Sequence, residues 1–498
     1  MIFKGRSCKM PNFINENVNL DVENESSDDV KEVEKIRREC GLQFSNLWDL
    51  ASPEEVAAAW DFAEDYKQVL SECKTERLFA DHSVKLLSEQ GFKSLREVQH
   101  LNPGDKVYHV IKGKGLIAAV IGEKPVTYGF NILGAHIDSP RLDLKPIPLY
   151  EDGDMVLLKT HYYGGIKRYQ WTAIPLAIHG VVIRRDGITV EIDVGEDESD
   201  PVLTVTELLI HLSKEQLQRK GNEIVKGEEL NVLIGGKPFG DKEVKDRFKL
   251  AILKMLYDQY GIVEEDLVTA ELEIVPAGPA RDVGFDRVFI GGYGQDDRVC
   301  AYPSLRAVMD VESPEKTVVC LLSDKEETGS DGNTGAQSRL YENVLAEIFA
   351  KQSGSFNELS FRQLLENSRM LSTDVTNGFD PTYASVSDKQ NAAFMGKGMC
   401  LNKYTGSGGK YNASDANAEF MASVIGVLRE NNIPWQTGLM GKIDAGGGGT
   451  IAKYMANLGM EVIDCGVPVL SMHAPFEITH KLDVYYTYLA YKAFIEHI

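Results

Sequence analysis

Several short apolar runs in this chain end abruptly in acidic or imidazole side chains, and that pattern limits the folds open to it. Thr317 to Ser323 gives way at once to Asp324-Lys325-Glu326-Glu327, and Met370 to Val375 carries Asp374 near its end. The run from Tyr128 to Ile137 passes into Gly134-Ala135-His136-Ile137-Asp138-Ser139-Pro140. Runs of this length, rich in β-branched residues, predict buried strands. A polar cluster at a strand's C-terminal end is where open α/β sheets place ligands.

Two further segments belong with these three: GQDDR at 294–298 and SMHAPFE at 471–477. Buried carboxylates are costly unless they are paired or bind a metal. Several such groups at strand ends predict a shared cation site. Each segment alone admits a plainer reading. His136 could be a satisfied core histidine, but Asp138 lies two residues on and faces the same way along a strand, where it can orient the imidazole. Asp296-Asp297-Arg298 could simply open a helix. Asp374 and His473, taken singly, fit a cap or a surface position. Glu326-Glu327 is harder to set aside, since a metal gives one Glu a ligand role and leaves the other free as a base.

The rest of the chain fixes the setting. With 498 residues, 43% apolar and 26% charged, it has the length for two or three domains and a sizeable core. A net charge of −22 argues against nucleic acid as a partner. No apolar run reaches the roughly 18 residues that a membrane span needs. The N-terminal MIFKGRSCKMPNF does not read as a secretory signal. Cys8, Cys40, Cys73, Cys300, Cys320, Cys400 and Cys465 are scattered and form no Cys-x-x-Cys, which predicts reduced thiols in a cytoplasmic protein. Any metal must therefore rest on His and carboxylates.

Residues 1–35 read as a polar, acidic arm. Ser52-Pro53-Glu54-Glu55 opens a helix to about 74, and a second follows over 75–90. Strands are expected at 106–110 and 116–121. From 148 to 285 the texture turns β-rich, with Asp186-Gly187 as a hairpin turn. From about 288 an α/β texture returns, with an amphipathic helix over Asp415–Asn431. The four-glycine loop 446–449 lacks the Gly-Lys-Ser/Thr ending of a phosphate loop.

Taken together, these segments resemble the aspartyl aminopeptidase family, as a bacterial member, over nearly the whole chain. The matching features are GAHIDSPRLDLKP, a β-rich insertion after it, DDR, the Glu-Glu pair before TGS, STDVT and SMHAPFE, in the family's order. The resemblance implies a three-layer α/β/α metallopeptidase catalytic domain in two parts, 1–147 and 286–498, around an inserted β-rich dimerisation domain, 148–285. It implies two divalent metal ions per subunit, zinc as a rule, with manganese or cobalt as alternatives. One ion would be held by His136 and Asp374, the other by Glu327 and His473, with Asp296 bridging. Glu326 would act as general base and acid through a metal-bridging hydroxide, and Asp138 would steer His136. Substrates would be short peptides. Dimers would assemble to a dodecamer, and His211 would reach the neighbouring subunit's site.

Members that prefer N-terminal Asp or Glu carry a Lys where this chain has Asn402, with Lys403 beside it and Lys410 further on. A one-residue slip along a strand reverses the facing. Acidic preference is thus one expectation, and neutral or broad specificity the other. A metal-stabilised assembly protein without catalysis is a third, against which the free base Glu326 weighs.

Overall fold

Four strands lie side by side and parallel at the centre of the molecule: Val318–Ser323, Asn131–His136, Arg369–Thr373 and Glu461–Gly466. Their register sets Leu321 opposite Gly134, and Leu371 opposite both Leu133 and Ile463. In this computed structural model, which describes residues 27–498, they form the middle of a nine-stranded sheet. Residues 1–26, with much of the expected acidic arm and Cys8, lie outside the described part. Antiparallel neighbours flank the four, Gly115–Val120 on one side and Met399–Asn402 on the other.

Side-chain alternation along these strands makes the layers. Val318, Cys320 and Leu322 enter one core with Leu133 and Leu371, beneath helices that include Pro53–Glu72, Gln295–Met309 and Lys481–His497. Val319 and Leu321 point the other way, into a second core with Ile132, Met370 and Val462 under helices Arg339–Ser353 and Glu358–Asn367. A strand buried on both faces has no polar side, which is why these runs read as continuous apolar stretches. The result is the expected three-layer α/β/α arrangement. The first-turn signals of Pro53–Glu72 act as expected: the Ser52 hydroxyl accepts from Glu55 N–H at 3.2 Å, and the Glu55 carboxylate accepts from Ser52 N–H at 2.8 Å.

A second, seven-stranded antiparallel sheet draws its strands from Arg141–Asp152, Met155–Tyr163, Leu176–Ile183, Thr189–Val194, Thr204–Val205, Asn231–Gly235 and Glu271–Pro276. It has its own core around Trp171, Val232, Ile274 and Phe248. The Asp186-Gly187 hairpin forms as expected, with Gly187 at φ +84. A small three-stranded sheet of Arg281–Val283, Phe289–Gly292 and Glu477–His480 joins segments far apart in sequence.

Two of the element starts that differ from the sequence reading have a visible local cause. The strand expected from Tyr128 begins at Asn131, because Val126–Tyr128 makes a 3-10 turn that ends at Gly129 with φ +93. The helix expected from Asp415 begins at Ala418, because Asn417 holds an extended backbone and acts as the boundary. Within the acidic segment, Ser27–Cys40 is helical, and residues 31–40 are exposed.

Leu321 is fully buried on a central strand. Leu321→Ala is expected to lower unfolding stability by about 2–5 kcal/mol, measured by denaturant titration of the metal-free protein.

Candidate metal centre

The parallel strands deliver their C-terminal ends to one edge, and the polar segments follow there. His136 is the last residue of its strand, Asp374 follows Thr373 directly, and Glu326 and Glu327 form a tight turn shortly after Ser323. His473 lies in the loop between Pro468–Val469 and Glu477–His480, with φ +65. Asp296 sits at the start of the Gln295–Met309 helix, with its own backbone outside helical geometry.

These side chains meet. His136 Nε2 lies 3.1 Å from one oxygen of Asp296, and His473 Nε2 lies 3.2 Å from the other. His473 Nε2 is also 3.4 Å from a Glu327 oxygen, and His136 Nε2 is 4.0 Å from a Glu326 oxygen. Ligand atoms of His136, Asp296 and Glu327 fall within 4.8 Å of one another, as do those of His136, Glu326 and Asp374. Asp138 turns one oxygen to His136 Nδ1 at 3.2 Å. It also accepts from the backbone N–H groups of Glu326 and Glu327, at 3.1 and 3.2 Å.

The electrostatics are those of crowded, desolvated acids. Burial pushes the carboxyls of Glu327, Asp374 and Asp297 well up, and that of Glu326 to about 7. Asp296 goes the other way. Burial opposes its charge, but hydrogen bonds from His136 and His473 outweigh that and hold it below the usual carboxylate range. Burial works against charge on His473 too, yet the Glu327 and Asp296 carboxylates lift it to about 11. Glu327 Oε1 and Asp297 Oδ1 are buried and have no hydrogen-bond partner within the protein. Imidazoles and carboxylates with orphaned buried oxygens form a donor set that suits zinc and its neighbours.

Beside this cluster opens a cavity of about 910 Å3, onto which Asp296, Glu326, Glu327, Asp374 and His473 all face. Asn402, Lys410 and the loop Gly446–Gly449 line it from another side. That loop packs so closely that a Cβ on Gly447 would sit 2.0 Å from the Gly406 carbonyl oxygen. Lys403 is exposed and outside the lining, and His211 is exposed in the short turn Ile210–Leu212.

The structure adds residues to which the sequence reading gave no task. Glu477 is buried, and its carboxylate accepts from the N–H groups of Gln295, Asp296 and His473 at 2.6, 3.2 and 2.7 Å. It thereby ties together the two loops that carry Asp296 and His473. Asp297 receives the His136 N–H at 3.4 Å. The one available signal for Glu477 was an acid among apolar neighbours shortly after His473. For Asp297 it was the doubled Asp.

Residues 69–495 match the family model described as Aminopeptidase I zinc metalloprotease (M18). The "Probable M18 family aminopeptidase 1" of Clostridium acetobutylicum is 49% identical over 457 residues, covering 91% of this chain and 98% of its own. The crystal structure of an M18-family aminopeptidase from Thermotoga maritima superposes with a TM-score of 0.88 at 45% identity, covering 92% of this chain and all of the other. The mApe1 dodecamer of S. cerevisiae shares the fold, with a TM-score of 0.71 at 21% identity over 88% of this chain and 97% of that one.

Zinc added to chelator-stripped protein is expected to raise its melting temperature. Saturation a thousandfold above the dissociation constant corresponds to about 4 kcal/mol. Asp296→Ala, which removes the oxygens facing both imidazoles, is expected to abolish the rise in thermal melts.

Proposed function

Since the chain belongs to the M18 family of zinc aminopeptidases, we propose that it removes N-terminal residues from short peptides with two divalent ions per subunit. His136 and Asp374 would hold one ion, Glu327 and His473 the other, and Asp296 would lie between them. The observation that carries this reading is Asp296 itself, which presents one oxygen to each imidazole at 3.1 and 3.2 Å. A carboxylate so placed is suited to bridge two cations. Zinc fits the donors best, and manganese or cobalt could occupy the same set.

Bound ions would supply Lewis acidity toward the scissile carbonyl and the attacking water. The chain's own residues do the rest. Glu326 is not needed as a ligand and borders the cavity, so it takes the water's proton and returns it to the leaving amine. Asp138 holds the His136 ring by Nδ1, so Nε2 faces the centre.

For the N-terminal side chain, Asn402 favours neutral residues. It is buried at the cavity wall, where its amide donates to Thr376 Oγ1 at 3.2 Å and its oxygen accepts from the Cys400 thiol at 3.0 Å. Lys410 also lines the cavity, but its ammonium is engaged by Asp415 at 2.6 Å. We therefore place neutral or broad specificity ahead of acidic.

Assembly enters through the seven-stranded sheet. Leu208, Leu209, Ile210 and Leu212 are 47–71% exposed in one stretch, a surface that suits burial against a second copy. His211 lies within it and would reach a neighbouring subunit in a dimer, or in a dodecamer assembled from dimers. The free state of the described cysteines suits the cytoplasm, and no described helix is long and apolar enough to cross a membrane.

Glu326→Gln is expected to keep its zinc, as read by metal analysis, yet to lose about 10²- to 10⁴-fold in kcat/KM. Wild type that cleaves nothing across a panel of aminoacyl substrates, with zinc, manganese or cobalt, would sink the enzyme reading and favour a shell without catalysis. On the same panel, Leu and Ala substrates should match or exceed Asp and Glu ones. Asn402→Lys is expected to shift the ratio toward acidic residues by roughly ten- to a hundredfold, the worth of one charge-assisted contact.

A further inference from the structure

Both candidate metal-binding histidines are held from behind by one tripeptide of the seven-stranded sheet. Tyr163 is the last residue of the Met155–Tyr163 strand, directly across from Arg141. Its hydroxyl donates to Asp138 Oδ2 at 2.7 Å, and Asp138 Oδ1 lies 3.2 Å from His136 Nδ1. Two residues on, the Gly165 carbonyl lies 2.9 Å from His473 Nδ1. A carbonyl can only accept, so His473 keeps a proton on Nδ1, and Nε2, turned to Asp296 and Glu327, is the nitrogen that would give up its proton to hold a cation.

The tripeptide is itself constrained. The Arg141 guanidinium lies 3.9 Å over the Tyr163 ring and is fixed by Asp143 at 2.8 Å, Glu273 at 3.1 Å and Glu76 at 3.4 Å. Gly164, at φ +74, would bring a Cβ within 3.4 Å of Glu327 Oε2, and Gly165 would bring one within 3.3 Å of His473 Nδ1. A side chain at either position would press on a proposed ligand.

We propose that Tyr163-Gly164-Gly165 is a positioning element through which the seven-stranded sheet sets the affinity of the metal centre. Tyr163 acts on the His136 side through Asp138, and Gly165 acts on His473 directly. Tyr163 lies outside the cavity lining; Gly165 borders the cavity, and its part in the metal centre is its carbonyl on His473. The inference rests on the two-ion reading above.

The test uses the full chain stripped of metal. Zinc is titrated in competition with a chromophoric chelator, bound zinc per subunit is measured, and the stripped protein is melted. Tyr163→Phe removes only the hydroxyl and keeps the ring under Arg141. Gly165→Ala keeps the carbonyl and crowds His473. Each variant is expected to weaken one zinc site by about tenfold, the lower end of the range found when a ligand's outer hydrogen bond is lost, because each leaves that bond in place and disturbs what positions it. The stripped proteins should melt with wild type, and activity should return as zinc is raised. Two variants that bind zinc as wild type does, while wild type binds two ions, overturn this inference alone. Loss of affinity that only tracks a lower melting point of the stripped variants overturns it as well. Wild type that binds no zinc overturns the metal-centre reading, and this inference with it.

Discussion

Desolvated negative charge is the constraint on which the rest of the structure depends. Asp138, Asp296, Asp297, Glu327 and Asp374 converge at the ends of the central strands, and burial alone would drive protons onto most of them. The surroundings answer that pressure residue by residue. Two imidazoles face Asp296. Backbone N–H groups and a tyrosine hydroxyl face Asp138. The buried Arg298 donates to Ser139 Oγ, to the Gly294 carbonyl and to the Lys74 carbonyl, which clasps the loop after His136 to the one before Asp296. Within this cluster Glu327 Oε1 and Asp297 Oδ1 are left without a protein partner, and Glu327 is one of the proposed ligands.

The parallel sheet explains why such a cluster can exist at all. Its four central strands end at one edge, so residues separated by hundreds of positions arrive together without long loops to order. The cost of packing acids into that edge is carried by two apolar cores, one on each face. Rigid strands below and short turns above leave the side chains little freedom to separate, and close placement of ligands is what a metal centre requires.

Much of this was legible in the chain itself. The apolar runs ending in acids foretold the strands, the edge and the residues that gather there, because period and burial are local properties of a sequence. The partners of those residues were not legible. Glu477 braces Asp296 from 181 positions away, and Tyr163 reaches Asp138 from another sheet. Such roles exist only once the fold has formed. The Asn402 and Lys403 pair shows the opposite limit. The strand Met399–Asn402 ends between them, which leaves Asn402 a buried amide in the cavity wall and Lys403 an exposed ammonium outside it.

The tripeptide Tyr163–Gly165 bears on how this architecture can change. A sheet joined to its neighbour only through linkers could be exchanged, enlarged or lost without touching the chemistry. Here the Met155–Tyr163 strand of the seven-stranded sheet and the two glycines that follow it contribute a hydroxyl and a carbonyl that reach the two candidate imidazoles, one through Asp138 and one directly. The two sheets are therefore not interchangeable modules. A chimera that swaps one of them inherits a geometry its other half was not built for.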